Sequence, residues 1–285
     1  MTKMTDLQTP FFPNWCSGCG NLNIWGTFKN AAVKEGWDNT NTAIVAGIGC
    51  HGHMMNFVKI TSFEGLHGRA LPVATGIKMV NNRLNVFVFT GDGDCFGEGG
   101  NHFIHACRRN HNLTVLIHDN SLYALTTGQT SPLSAHGFKT KSTPEGNLDE
   151  PFNPLALAIA SGATFVARAY SGDMPKLEEL IIEANRHKGL SVIDILQPCI
   201  TFNKVCTHEF YQKNIYYLEK DYDTSNKQNA LERSVEFGEG KIPLGVFYKS
   251  DRPSYEEQIT QIKDKPLIEI PINRSDVTEL FKKYT

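Results

Sequence analysis

The sequence predicts an α/β fold, a mostly parallel sheet doubly wound by helices on both faces. Two observations carry that prediction. Compact apolar, β-branched runs recur along the chain without an apolar/polar alternation, as strands covered on both faces do, and a helical pattern separates each run from the next. Alternating strand and helix in this way builds a parallel sheet whose ligand site lies at the carboxyl ends of the strands.

The elements follow in order. A helical pattern over residues 21–35 leads into an apolar run at 42–47. A second helix, 71–82, precedes the run 85–90, and a third, 99–110, precedes 113–118. Residues 131–154 are polar and rich in Pro, Gly, Ser and Thr, which predicts a long surface loop within the domain. A short helix over 154–161 comes before the run 164–167. The helix over 175–188 has Pro175 just inside its start and Gly189 after its end, and runs into the strand 191–196. Beyond about residue 201 the alternation fades into charged and aromatic sequence with scattered helical pieces. Residues 1–203 are therefore expected to form one domain, and 204–285 an irregular C-terminal extension packing on the core or on a partner subunit.

Of the 285 residues 40% are hydrophobic and 20% charged, and the net charge of −2 offers no electrostatic attraction for nucleic acid. No stretch approaches the roughly 18 apolar residues a membrane span requires. Residues 1–13 lack the basic and then apolar order of a signal peptide, so a cytoplasmic location is expected. Seven cysteines, an odd number scattered through a long chain, argue against a disulfide framework.

The run 85–90 ends in Gly91-Asp92-Gly93-Asp94, and the run 113–118 ends in Asp119-Asn120, with 28 positions between Asp92 and Asn120. Glycines permit the close backbone approach a diphosphate needs, and Mg²⁺ takes a few hard oxygen ligands while keeping the phosphates as others. Asp92 and Asn120 supply such oxygens at the ends of two strands separated by one crossover helix. Alone, Gly-Asp-Gly is more often a tight turn and Asn a helix cap; the pairing gives the spacing a geometric reason.

Here the chain resembles a known family. Gly-Asp-Gly followed nearly thirty residues later by Asn is the thiamine diphosphate motif. The segments Trp15-Cys16-Ser17-Gly18-Cys19-Gly20-Asn21, Gly47-Ile48-Gly49-Cys50, Leu66-His67-Gly68-Arg69-Ala70, Arg108-Arg109-Asn110, Gly128-Gln129-Thr130-Ser131-Pro132 and Leu196-Gln197-Pro198-Cys199 are similar to those of the β subunit of 2-oxoacid:ferredoxin oxidoreductases, in family order over some two thirds of the chain. The resemblance implies a sheet of the thiamine diphosphate pyrophosphate-domain type. It also implies Mg²⁺ on Asp92, Asn120 and the carbonyl of Leu122, with Gly91, Gly93, Asp94 and the backbone near Leu125 around the diphosphate. Ile48, Gly49, Cys50, His51 and His67 match cofactor-contacting positions, and His67 is a candidate for tuning charge near the reacting atoms.

The pair Cys16 and Cys19 forms a C-x-x-C that could be a redox dithiol, half of a zinc site or half of an Fe–S site. Cys50 and Cys199 each follow a strand, where a sheet's ligand edge can bring distant residues together. Zinc would accept the same four thiolates, but a neighbouring cofactor that must lose electrons favours a redox cluster, and the resemblance implies one [4Fe–4S] cluster on Cys16, Cys19, Cys50 and Cys199. Cys206 is a rival for the fourth position. Cys95 and Cys107 read as packing residues.

Other signals are weaker. Gly47-Ile48-Gly49-Cys50-His51-Gly52 fits G-x-G-x-x-G, but the acidic residue an NAD-binding Rossmann dehydrogenase places at the end of its second strand is missing. Glu64 comes too early, in Ser62-Phe63-Glu64-Gly65, which does not read as a strand end. His102 and His105 lack an H-E-x-x-H pattern and read as packing or hydrogen-bonding residues; Arg108-Arg109 reads as a solvated helix end.

The expected function is CoA-dependent oxidative decarboxylation of 2-oxoacids to acyl-CoA and CO₂, with electrons leaving through the cluster to ferredoxin. The glutamate that activates the cofactor's aminopyrimidine has no counterpart here, and the resemblance places it on an α (pyrimidine-binding) subunit, so activity is expected only from the αβ pair or a larger assembly. The alternative is a subunit of a nonoxidative thiamine-dependent decarboxylase or synthase, with zinc or nothing on the cysteines. One departure bears on substrate: His53 stands where relatives commonly carry Lys or Arg, which makes it a candidate contact for the substrate carboxylate.

Overall fold

A computed structural model describes residues 2–238, 240–271 and 277–284 of the chain. Its strands are β1 (Thr42–Ala46), β2 (Thr61–Glu64), β3 (Asn85–Gly91), β4 (Thr114–Asp119), a small hairpin of β5 (Leu122–Tyr123) and β6 (Gln129–Thr130), then β7 (Phe165–Tyr170), β8 (Ser191–Leu196), β9 (Ile215–Tyr217) and β10 (Ile242–Lys249). Eight of them form one sheet in the order β2-β1-β3-β4-β8-β7-β10-β9. From β2 through to β7 neighbouring strands are parallel, and β10 then joins β7 antiparallel. The five long central strands are those expected from the apolar runs, and their inner residues are buried on both faces.

The helices are α1 (Gly20–Glu35), α2 (Met54–Phe57), α3 (Ala70–Val80), α4 (Gly100–Arg109), α5 (Pro154–Ser161), α6 (Met174–Arg186), α7 (His208–Asn214) and α8 (Lys227–Ser234), with a short last turn at Thr278–Phe281. On one face of the sheet Ile24 and Phe28 of α1 and Leu177 and Ile181 of α6 close over Phe87 and Phe89. On the other, Leu71 of α3, Phe103 of α4 and Leu155 of α5 cover Val86, Val88 and Val115. Local chemistry sets the ends. Asn153 and Asp173 cap α5 and α6 by accepting from Ala156 N at 2.9 Å and Lys176 N at 3.2 Å. Asn110 ends α4 in the left-handed conformation, φ 61°. Its side-chain oxygen accepts from Thr164 Oγ1 at 2.7 Å and Leu190 N at 2.8 Å, fastening the helix end to the starts of β7 and β8.

Three expectations need correction. Glu64 does end a strand: β2 runs parallel to β1, in register Ala46 with Glu64. It is a four-residue edge strand whose residues are mostly exposed, so it carries no apolar signature. Residues beyond 204 are not wholly irregular, because β9 and β10 extend the main sheet. Pro243 and Gly245 interrupt the apolar run of β10, which hides it in the sequence, and the strand has a register shift between Val246 and Tyr248. The loop from Ser131 to the start of α5 is not merely superficial, since Ser131, Ser134 and Asn147 are buried and Asn147 Nδ2 donates to Ser134 O at 2.9 Å.

Candidate active site

After β1 the chain turns outward to β2, while β3 lies on the other side of β1. That reversal opens a crevice at the carboxyl ends of the strands. Three loops line it. After β1 comes a 3-10 turn, Cys50–His53; after β3 comes Asp92 and a π-helical turn, Gly93–Glu98; after β4 come Asn120 and the β5–β6 hairpin. The cavity between them, about 80 Å³, brings together Ile48, Gly49, Cys50, His51, His67, Gly91, Asp92, Gly93, Asp94, Asn120, Leu122 and Leu125. The glycines here are required by the packing of the cavity's own walls: a Cβ on Gly93 would lie 2.3 Å from the Tyr123 ring, and one on Gly47 1.8 Å from Asp94 Oδ2.

Asp92 and Asn120 have the character of hard-metal ligands. Asp92 is 1% exposed, one carboxylate oxygen accepts from Ser131 Oγ, and the other, Oδ1, is buried with no hydrogen-bond partner. Burial pushes its carboxyl up to about 7 against the opposing hydrogen bonds from Ser131 and the backbone. An orphaned, desolvated carboxylate oxygen is costly by itself and well matched to a divalent cation. Asn120 Oδ1 accepts from Leu122 N at 3.1 Å and retains a second lone pair.

Asp94 does different work. Its Oδ1 accepts from Ile48 N at 3.0 Å, Gly68 N at 2.8 Å and His67 Nδ1 at 2.9 Å, and its Oδ2 accepts from Thr90 Oγ1 at 2.6 Å. Burial alone would raise this carboxyl, but His51, with the Gly68 N–H and the Thr90 hydroxyl, holds it well below the usual carboxylate range. His51 Nε2 lies 3.6 Å from Oδ2 and 3.1 Å from Gly91 N. A permanently ionised Asp94 therefore pins the loops after β1, β2 and β3 to one another. Its carboxylate is consumed by that role and His67 is oriented by it.

A second cavity, about 260 Å³, adjoins the first and shares Cys50, Asn120, Ala124 and Leu125 with it. Cys16, Cys19, Cys50 and Cys199 line it, and so does His53. Among the described residues no three His, Cys, Asp or Glu side chains converge on a single ion. The thiols ring a space instead. Burial, reinforced by the neighbouring cysteines, pushes the Cys19 thiol up to about 12 and Cys50 up to about 11, so this sulfur set lacks a compensating positive charge. Thr201 Oγ1 donates to Cys16 Sγ at 3.1 Å, and Trp15 Nε1 to the Cys50 carbonyl at 2.7 Å. Cys206 stands elsewhere, lining a different cavity with Arg168 and Phe237, and Cys95 and Cys107 are buried in the core. His53 meets the cysteines rather than the diphosphate crevice, with Nδ1 3.2 Å from Asn56 Nδ2.

Comparison with known proteins decides the family. The family model described as "Thiamine pyrophosphate enzyme, C-terminal TPP binding domain" matches residues 47–195, and that for the C-terminal part of the pyruvate ferredoxin oxidoreductase beta subunit matches 199–264. A 2-oxoacid:ferredoxin oxidoreductase subunit beta from Sulfolobus sp is 46% identical over 265 residues, 88% of this chain and 87% of the relative. The chain belongs to the β subunits of 2-oxoacid:ferredoxin oxidoreductases. A 2-oxoglutarate synthase subunit KorB from Archaeoglobus fulgidus is 44% identical over 200 residues, 70% of this chain and 74% of that protein. A solved structure, "2-oxoglutarate:ferredoxin oxidoreductase from Magnetococcus marinus with 2-oxoglutarate, coenzyme A and succinyl-CoA bound", superposes with a TM-score of 0.91 at 35% identity, covering 100% of this chain and 96% of that one. As a β subunit of this family the chain is part of an enzyme and carries a thiamine diphosphate-binding domain. These matches also set aside the dinucleotide-binding reading of Gly47 to Gly52.

Several residues of the site escape the sequence. Ser131 stands out there only as part of a motif, whereas in the fold its hydroxyl meets Asp92 across 39 positions. Tyr123 packs against Gly93 and its hydroxyl lies 3.2 Å from both carboxylate oxygens of Glu98. Gln197 and Asn203 both hydrogen-bond to Asn120. The Gln-Pro-Cys context is a signal for the first of these; nothing local marks the others.

Proposed function

We propose that this β subunit, with its α partner, carries out CoA-dependent oxidative decarboxylation of 2-oxoacids to acyl-CoA and CO₂, passing electrons to ferredoxin through one [4Fe–4S] cluster. The observation that carries this is the shared wall. An oxygen-donor crevice and a four-cysteine cavity lie side by side, with Cys50 and Asn120 lining both. Thiamine diphosphate, when bound, supplies the carbanion chemistry at the 2-oxo carbon, and the cluster supplies a one-electron exit.

The chain's own residues hold and orient. Asp92 Oδ1, Asn120 Oδ1 and the Leu122 carbonyl are assigned to Mg²⁺, and Gly91, Gly93, Asp94 and the Leu125 backbone to the surroundings of the diphosphate. Asp94 keeps Ile48 and Gly68 in register and turns His67 toward the crevice rim. Cys16, Cys19, Cys50 and Cys199 are assigned to the cluster. The spread of the thiols around a cavity supports a polynuclear group, whose irons each take a separate thiolate, over a zinc ion needing four sulfurs at about 2.3 Å. Residues 204–285 are assigned to a C-terminal extension packing on the core or on the partner subunit.

Reconstitution with the α subunit tests this. The anaerobic complex should hold about four irons per β chain and reduce ferredoxin in a 2-oxoacid- and CoA-dependent manner. Zinc in place of iron, or CO₂ release without ferredoxin reduction, would favour the nonoxidative alternative.

A further inference from the structure

Gln197 stands between the two cavities. It is the first residue after β8, is 1% exposed, and its backbone N donates to Asp119 O at 2.7 Å, so the ends of β8 and β4 leave the sheet together. Its side-chain Nε2 donates to Pro198 O at 3.0 Å and to Cys19 Sγ at 3.4 Å, while its Oε1 accepts from Asn120 Nδ2 at 3.1 Å.

The orientation of both amides is forced from the ends. The Pro198 carbonyl can only accept, which turns the Gln197 nitrogen toward Pro198 and Cys19 and its oxygen toward Asn120. The Leu122 N–H can only donate, which turns Asn120 Oδ1 toward Leu122 and its nitrogen toward Gln197. Reversing either amide would oppose two donors or two acceptors. Gly20, at the start of α1, lets that helix close onto this side chain: a Cβ there would lie 2.8 Å from Gln197 Cγ.

We propose that Gln197 is a positioning residue that ties the metal ligand Asn120 to the cluster ligand Cys19. It holds the Asn120 oxygen toward the metal and gives the Cys19 sulfur an N–H donor. A donor to a ligand sulfur stabilises the more negative, reduced cluster and so raises its reduction potential. One side chain thereby sets both the grip on the cofactor and the readiness of its electron acceptor. The proposal rests on the function proposed above.

The test compares wild type, Gln197→Leu and Gln197→Met in the anaerobic αβ complex. The cluster potential is followed by redox titration with electron paramagnetic resonance, and thiamine diphosphate affinity is measured in the presence of Mg²⁺. Gln197→Leu removes the hydrogen bonds to Asn120, Cys19 and Pro198. Its potential should become more negative, and its Kd for thiamine diphosphate should rise roughly fivefold, the worth of one hydrogen bond. Gln197→Met keeps the length and volume of the side chain but has neither the N–H donor to Cys19 nor the amide oxygen facing Asn120, and should show the same two changes. An unshifted potential in Gln197→Met, with the cluster intact, overturns the inference, and that variant decides alone if Gln197→Leu does not assemble. A wild-type complex with no iron–sulfur signal would instead remove the function proposed above; a normal wild type with unshifted variants removes the inference only.

Discussion

Replacing Asp92 with Asn should make the metal-free chain more stable at pH 8 while abolishing its response to Mg²⁺ and thiamine diphosphate. The carboxyl loses its proton near 3.8 when exposed and near 7 in the folded chain, with burial as the main cause. Between those values the folded state keeps a proton that the unfolded state releases, so raising the pH weakens folding. The cost is absent below about pH 4 and complete above about pH 7. At about 1.4 kcal/mol per pH unit, the full penalty is about 4 kcal/mol.

Asn cannot ionise, so Asp92→Asn removes that penalty. Its amide still accepts from Ser131 Oγ, but an NH₂ at the position of the unpartnered Oδ1 is a buried, unsatisfied donor costing about 1–3 kcal/mol. The net expectation is a gain of about 1–3 kcal/mol at pH 8 that vanishes or reverses by pH 5. Urea unfolding of the anaerobic, metal-free chain at both pH values measures it. Added Mg²⁺ and cofactor at about 100 times Kd should stabilise wild type by about 2.7 kcal/mol and leave the variant unmoved. A variant less stable than wild type at pH 8, or one still stabilised by Mg²⁺ and cofactor, would refute the argument.

Three further outcomes are expected. Cys199→Ser should lower the iron content of anaerobically purified protein and Cys206→Ser should not, because only Cys199 lines the cavity of Cys16, Cys19 and Cys50; the reverse ranking would count against the cluster assignment. If His53 contacts the substrate carboxylate, His53→Ala should raise KM for the 2-oxoacid and His53→Lys, with its fixed positive charge, should lower it. Identical KM values in all three would eliminate the contact. Phe28→Ala should destabilise the chain by about 3–5 kcal/mol in denaturant titration, since Phe28 is fully buried with its ring edge-on to Phe87 and Phe89 at 5.0 and 5.1 Å; a loss under about 1 kcal/mol would mean the helix layer collapses into the gap.

The sequence alone determined the sheet's centre and which strand ends carry candidate donors. Strands buried on both faces are written as continuous apolar runs, and a loop that must approach a diphosphate is written in glycines beside oxygen donors, so β1, β3, β4, β7, β8, Asp92 and Asn120 stand out, whereas the set of four cysteines is implied by the family resemblance. Edges were not. β2 is short and mostly exposed, β9 has only three residues, and β10 is interrupted by Pro243 and Gly245, so burial imprinted no periodicity on them. What only the tertiary structure decided is which donors are free and which are spent. Asp92 and Asp94 sit two positions apart in one motif, yet one keeps an unpartnered oxygen while the other is saturated by Ile48, Gly68, His67 and Thr90. Ser131 meets Asp92, and Gln197 meets both Cys19 and Asn120, across 39 to 178 positions of chain. A hydrogen bond between residues that far apart depends on strand order and loop path, and these are set by the packing of the whole sheet rather than by any local run of residues.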